Sequence, residues 1–220
     1  TLAYRRGSRV FISDVPVILN RLGDMEQKRR VMRLLNSAST YQVTLVVPPG
    51  ADTDAIAGYW GGGNRRKDIK PILESLSQLP GGGKLDIAHL LPAFARQRLY
   101  IYPSRVLAQD GVRRDCHWTS LNFFSLVAED RFGNSDEATR HILENYYQTG
   151  EAPQYGDLVL FMLPSGDSIH SAVVLAGKMA FTKNGENLDQ PWIIMDVGEI
   201  QELYSQYFHT ELGVQYWRRK

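Results

Sequence analysis

Four apolar runs separated by short turn signals constrain the fold of this 220-residue chain more than any other feature of its sequence. The runs are residues 158–163, 169–176, 179–183 and 192–197. Each has the length and the β-branched or aromatic content of a buried strand. Turns rich in Gly, Pro and Asp join the first three runs, which favours antiparallel pairing between neighbours. The second half of the chain is therefore predicted to contain an antiparallel sheet.

Helices are predicted before and after these strands. Residues 116–130 form an apolar-rich segment that begins after Asp115, a residue type that commonly caps helices. Residues 136–147 and 199–208 have helical patterns, and residues 214–217 are predicted to add an edge strand. The expected fold class is α+β, with the helix that carries Cys116 packed against the antiparallel sheet.

The first half of the chain is less regular. Its apolar stripes are short, and two glycine triplets, residues 61–63 and 81–83, divide them. We therefore expect residues 1–98 to form a mostly helical N-terminal extension that packs on a core made of residues 99–220. Because the stripes are short, this extension is not expected to fold alone.

Composition excludes several classes of function. The formal net charge is +1, so no overall electrostatic field favours nucleic acid as a partner. No run approaches the roughly 20 apolar residues that a membrane-spanning helix needs. A single cysteine excludes an internal disulfide. The localisation is left open, since a removed signal peptide would place the protein in the periplasm or outside the cell.

Cys116 is the candidate nucleophile, because it stands at a predicted helix start directly after Asp115. The unpaired N–H groups of a helix start, together with a nearby imidazolium, lower the pKa of a thiol and increase its nucleophilicity. On composition alone, a lone cysteine is more often a buried core residue. The flanking motifs favour the nucleophile.

His170 is the candidate base, since it opens a predicted strand downstream of the cysteine. A third polar group is needed to hold the imidazole in one tautomer, and Asn184 and Lys183 are the candidates. An amide oxygen can accept the imidazole N–H, which favours Asn184. Lys183 has the side-chain parity of Phe181 on the same strand, so both alternatives stay open.

Other residue patterns give no further chemistry. The histidines show no metal-ligand spacing and one cysteine adds no ligand cluster, so neither a metal nor another cofactor is expected. Gly82-Gly83-Lys84 lacks the spacing of a phosphate-binding loop.

The motifs of residues 100–197 resemble those of the NlpC/P60 superfamily of papain-like cysteine peptidases and amidases. That family has an Asp-Cys pair opening a helix, a Gly-Asp-hydrophobic strand, a His beginning the next strand, and a polar residue on the strand after it. The matching segments are Asp115-Cys116, Gly156-Asp157-Leu158-Val159, His170-Ser171-Ala172-Val173-Val174 and Phe181-Thr182-Lys183-Asn184.

The resemblance implies a cysteine hydrolase that cleaves amide bonds, with Cys116 as nucleophile, His170 as base and Asn184 as the orienting residue. It also implies a papain-like core and a peptide or amide substrate, such as a peptidoglycan stem peptide. The residues expected to bind substrate are Tyr102, Trp118, Asp115 and Lys183.

Two departures leave other functions open: a bulky pair follows the cysteine, and Asn184 or Lys183 stands where the third residue of the family is often His. His117-Trp118 stands where the family has Ser-Gly, and this bulk is expected to reshape the pocket. The alternatives are an acyltransferase on the same scaffold and a binding module that has lost catalysis.

Overall fold

The computed structural model describes residues 3–6, 9–12, 15–104 and 107–220, which form two compact units. The first unit is Thr1–Ser39 and the second is Thr40–Lys220. The expected boundary after residue 98 falls inside the second unit. The assignment of residues 1–98 as an extension of a catalytic core stays a prediction.

The first unit contains a two-stranded antiparallel hairpin followed by two helices. Its elements are β1 (Ala3–Arg6), β2 (Arg9–Ile12), α1 (Val15–Asn20) and α2 (Met25–Ser37). Helix α2 begins where the Asp24 carboxylate accepts a hydrogen bond from the Gln27 N–H at 2.7 Å. This cap satisfies one of the free N–H groups of the first turn.

The second unit contains the remaining elements. Its helices are α3 (Thr53–Trp60), α4 (Arg66–Ser77), α5 (Ala93–Arg98), α6 (Cys116–Leu121), α7 (Ser135–Asn145) and α8 (Val197–Phe208). Its strands are β3 (Thr44–Val47), β4 (Gly83–Asp86), β5 (Tyr146–Thr149), β6 (Leu158–Met162), β7 (Ser168–Ala176), β8 (Met179–Lys183), β9 (Trp192–Asp196) and β10 (Gly213–Arg219). Three short 3₁₀ segments cover Ile87–Leu90, Leu107–Asp110 and Asp130–Gly133. None of the described helices is both long and apolar enough to cross a bilayer.

Six strands form the main sheet in the order β5-β10-β6-β7-β8-β9, and every neighbouring pair is antiparallel. The α+β class and the four predicted strands of the sheet are confirmed. The prediction that residues 214–217 form an edge strand is wrong, because β10 pairs with β6 on one side and β5 on the other. The short strand β5, which has only four residues, takes the edge.

Apolar residues cover both faces of this sheet. On β7, Val173 and Leu175 face a core that also contains Trp118 of α6. Ala172 and Val174 face a second core that includes Ile200 of α8. Alternate residues of a strand point to opposite faces, so α6 and α8 cover opposite sides of the sheet. This alternation decides which side chains can meet at the site.

Helix α6 is much shorter than the predicted helix over residues 116–130, and that prediction is wrong. The helix ends at Leu121 because the buried Asn122 side chain hydrogen-bonds the backbone. Its amide donates to the Trp118 and Glu129 carbonyls, and its oxygen accepts from the Glu129 N–H at 2.7 Å. Such local side-chain bonds compete with helix continuation.

Candidate active site

Cys116 is the first residue of α6, as predicted. Asp115 caps this helix, its carboxylate accepting a hydrogen bond from the Trp118 N–H at 3.0 Å. The cap fixes the helix start against the sheet, where α6 packs on β7 and β8. The thiol is only 5% exposed, so it lies inside the protein rather than on its surface.

The pKa of the Cys116 thiol does not follow the sequence-based expectation. Burial raises the pKa to about 12, and the negative charge of Asp115 acts in the same direction. Hydrogen bonds from the backbone N–H groups of Ser171, His117 and Cys116 oppose the rise without cancelling it. The expected lowering of the thiol pKa is therefore wrong for this structure, in which Cys116 is a neutral thiol at pH 7.

His170 lies on β7 and is completely buried. Its imidazole stacks on the Tyr204 ring of α8, with 4.2 Å between ring centroids, and lies 5.5 Å from the Phe161 ring. Burial holds the pKa of His170 well below its ordinary value, and the charge of His117 adds to the effect. The imidazole is therefore neutral at pH 7.

The hydrogen bonds around His170 select one tautomer. The Thr182 hydroxyl donates to the Ser171 carbonyl, so its oxygen is left to accept from the imidazole Nε2–H at 2.8 Å. The opposite nitrogen, Nδ1, is buried and has no hydrogen-bond partner. It thus presents a free lone pair, which is the chemical requirement for a general base.

Cys116 lies on α6, whereas His170 faces α8 on the other side of the sheet, and the two side chains are not bonded to each other in the described structure. The backbone N–H of Ser171, the residue that follows His170, acts to lower the pKa of the Cys116 thiol. The charge of an ionised Cys116 also reaches Tyr204, the ring stacked on His170. No hydrogen bond joins the thiol to the imidazole, since Nδ1 is unpartnered and Nε2 is held by Thr182.

Asn184, the residue expected to orient the imidazole, has a different partner. Its amide donates to the Met195 sulfur at 3.2 Å, and its oxygen is buried without a hydrogen bond. Thr182 occupies the orienting position instead. Sequence reasoning overlooked Thr182, although strand parity places it on the same face as Asn184 and a hydroxyl can accept the imidazole N–H.

Lys183 is fully buried on the opposite face from Thr182. Its ammonium donates to the Gly185 and Asn187 carbonyls. Burial lowers the pKa of Lys183 to about 8, against opposing effects from Cys116, Asp115 and Glu186. Lys183 is therefore a positive charge held close enough to Cys116 for the two groups to interact.

Asp157, from the Gly-Asp motif, supports the sheet. Its buried carboxylate accepts from the Gln154 N–H at 2.8 Å and pairs with the Arg218 guanidinium at 3.0 and 2.9 Å. Arg218 lies on β10, so this pair ties the turn before β6 to the neighbouring strand.

A cavity of about 610 Å³ lies beside the start of α6. Tyr102 and Trp118, two of the predicted substrate-binding residues, line it, whereas Asp115, Lys183 and Cys116 do not. A second cavity of about 430 Å³ is lined by residues that include His117 and Ser168. Within the described ranges, no group of three or more His, Cys, Asp and Glu side chains is arranged to hold a metal ion.

Comparisons with known proteins give no relative. No family model, no curated protein and no solved structure matches this chain. Inference about its chemistry depends on the geometry described above.

Proposed function

We propose that the protein is a papain-like cysteine hydrolase that cleaves amide bonds, with Cys116 as nucleophile and His170 as base. The observation that carries the proposal is the buried, unpartnered Nδ1 of His170, whose ring is held by Thr182 and which precedes Ser171, a residue whose N–H acts on the pKa of the Cys116 thiol. A polar atom buried without a partner is costly, so its retention favours a use in chemistry. The NlpC/P60 resemblance supplies the same pair of residues.

The proposed reaction begins from a neutral thiol and a neutral imidazole. His170 Nδ1 accepts the Cys116 proton as the sulfur attacks the amide carbon, and the carbonyl oxygen takes the negative charge. Backbone N–H groups at the start of α6 stabilise this oxyanion. His170 then donates the proton to the leaving amine, and water attacks the acyl-sulfur bond to release the acid and restore the thiol.

Two features of the site favour this sequence over a preformed thiolate and imidazolium pair. Burial opposes charge on both Cys116 and His170, so an ion pair is disfavoured before substrate enters. The buried ammonium of Lys183 then favours the thiolate as it develops, since the two opposite charges interact. Because His170 faces α8 and Cys116 lies on α6, which covers the other side of the sheet, the proposal requires that substrate binding brings the sulfur and Nδ1 together.

The test uses variants that separate chemistry from folding. The substrates are cell-wall stem peptides and a panel of N-acyl amino acid amides, with products measured by mass spectrometry. Cys116→Ala should abolish hydrolysis, and His170→Gln should reduce it by about 10² to 10⁴-fold. Thr182→Val should reduce it by about tenfold or more, while Thr44→Val, an exposed change on β3, should have no effect.

A spectroscopic measurement tests the role of Thr182 directly. In ¹⁵N NMR spectra, the two ring nitrogens of His170 should report the Nε2–H tautomer in the wild type and a mixture of tautomers in Thr182→Val. Hydrolysis that persists in Cys116→Ala would refute the proposal. Products that contain an added amine, rather than the free acid, would show acyl transfer on the same site.

A binding module that lacks catalysis is the second candidate function. The high thiol pKa and the missing hydrogen bond between Cys116 and His170 favour it. It predicts that wild type and Cys116→Ala bind ligands in the 610 Å³ cavity equally well and that neither cleaves any amide of the panel. That outcome would replace the hydrolase proposal.

A further inference from the structure

The cavity beside α6 combines aromatic rings with positive charge. Its walls include the rings of Tyr102, Trp118 and Trp192, and the guanidinium of Arg98 enters from the end of α5. A volume of about 610 Å³ is within the range of small-molecule sites, which are mostly apolar with a few placed polar groups. The charged residues of the wall decide which polar group of a ligand this cavity would bind.

The other charged residues of the cavity wall already have partners. The Arg113 guanidinium pairs with Glu186 at 2.8 Å. The Arg114 guanidinium pairs with Asp110 at 2.6 Å and lies 3.6 Å from Asp130. Carboxylates therefore compensate the charge of both of these arginines.

Arg98 differs from its two neighbours. Its guanidinium donates to the Phe94 carbonyl at 3.2 Å, and no carboxylate of the described residues lies within 4 Å of it. An arginine side chain has five N–H donors, and the one described hydrogen bond of Arg98, which lines the cavity, engages one of its terminal nitrogens. Burial lowers the pKa of Arg98 and the charge of Arg114 adds to this effect, while the Asp130 carboxylate opposes it.

Aromatic rings hold the Arg98 guanidinium in place. Its central carbon lies 3.9 Å from the Phe94 ring centroid, 5.3 Å from that of Trp118 and 5.8 Å from that of Trp192. Cation–π contacts of this kind orient the guanidinium plane without neutralising it. The fork of N–H groups is therefore preorganised for a planar anion, and the nearby indole rings offer an apolar surface.

We propose that this cavity binds a ligand that carries a free carboxylate and an adjacent apolar or flat group. The carboxylate pairs with Arg98, and the apolar group packs against Trp118 and Trp192. A carboxylate matches the planar fork of an arginine side chain in a two-point hydrogen bond. The role of this ligand as substrate rests on the proposed function and on the place of the cavity beside the start of α6, although Cys116 itself does not line it; the substrates are then acidic acyl-amino acids or peptides.

Binding is tested apart from catalysis in the Cys116→Ala variant. The probes are hippurate, which has a phenyl ring, an amide and a carboxylate, and hippuramide, which differs only in lacking the charge. Isothermal titration should show hippurate binding about tenfold or more tightly than hippuramide, because a charge-assisted pair is lost in the amide. Inorganic phosphate serves as a further probe and should bind more weakly than hippurate.

Variants of α5 assign the effect to one side chain. Arg98→Gln should remove the preference for hippurate, and Arg98→Lys should keep part of it because the charge remains without the fork. Arg96 is exposed on the same helix and does not line the cavity, so Arg96→Gln should bind both probes like the Cys116→Ala variant from which it is made. Circular dichroism verifies that each variant is folded.

Equal affinity for hippurate and hippuramide would overturn the proposal, as would equal behaviour of Arg98→Gln and Arg96→Gln. Tighter binding of phosphate than of hippurate would also overturn it, in favour of a phosphorylated ligand. Failure of the amide hydrolysis assay leaves this binding result intact, so the two proposals are refuted by different measurements.

Discussion

The reactivity of Cys116 at neutral pH gives a quantitative test of the resting state of the site. The chain has one cysteine, so a thiol reagent labels a single position. With the pKa raised to about 12, roughly one Cys116 side chain in 10⁵ is a thiolate at pH 7. A free cysteine with a pKa of about 8.5 is about 3% thiolate at the same pH, so Cys116 has about 3,000-fold less of the reactive form.

A thiolate of higher pKa is intrinsically more nucleophilic, which offsets part of this deficit. With a Brønsted slope of about 0.4, a thiol pKa that is higher by about 3.5 increases the reaction rate of the thiolate form by about 30-fold. The net expectation is that iodoacetamide labels native Cys116 about 100-fold more slowly than free cysteine at pH 7. The rate should rise about tenfold per pH unit up to pH 10, with no plateau.

Mass spectrometry measures the labelling from pH 6 to 10, with circular dichroism to verify the native fold at each pH. The same chain in denaturant is the control, and there Cys116 should react like free cysteine. Labelling at neutral pH as fast as that of free cysteine, or a plateau below pH 8, would refute the reasoning. Either result would show that Cys116 is a preformed thiolate and that the neutral-pair mechanism is wrong.

Two further predictions concern stability. Burial lowers the pKa of Lys183 to about 8 from its ordinary 10.5. Between pH 8 and 10.5 the unfolded chain therefore binds more protons than the folded protein, and the free energy of unfolding rises with pH. Lys183→Met should remove this rise of the unfolding free energy with pH, which is measured by urea unfolding from pH 7.5 to 9.5. An identical rise in the variant would show that Lys183 is not its cause. Arg218→Met leaves the buried Asp157 carboxylate unpaired and should cost about 3–5 kcal/mol of unfolding free energy by urea titration at pH 7. The exposed Arg219→Met is the control, and an equal loss in both variants would argue against the pair.

The sheet was predictable because its signal is local. Each strand from β6 to β9 combines a continuous apolar run with turn residues at its ends, and burial on both faces requires that composition. The interior place of β10 was not predictable, since its pairing with β5 and β6 joins segments far apart in the chain. The end of α6 depended on the Asn122 side chain, whose bond to Glu129 requires the folded loop.

The residues of the site were found from sequence more readily than their chemistry. The Asp115 cap follows from residue type and position, and the structure confirms it. The pKa of Cys116 was mispredicted because the sequence shows the helix start, which lowers a thiol pKa, but not the burial, which raises it. Arg98 was overlooked because its significance is that no carboxylate of the described residues lies within 4 Å of it in the wall of a cavity, which only the fold reveals.

The place of β10 in the sheet affects how the chain is made. The ribosome delivers residues in order, so β5 to β9 emerge before Gly213–Arg219. Until then, β6 has an open edge and β5 has no neighbour in the sheet, because β10 lies between them. An unpaired strand edge on a nascent chain invites wrong association. Completion of the sheet therefore waits for β10, whose arrival also brings Arg218 to the waiting Asp157 charge.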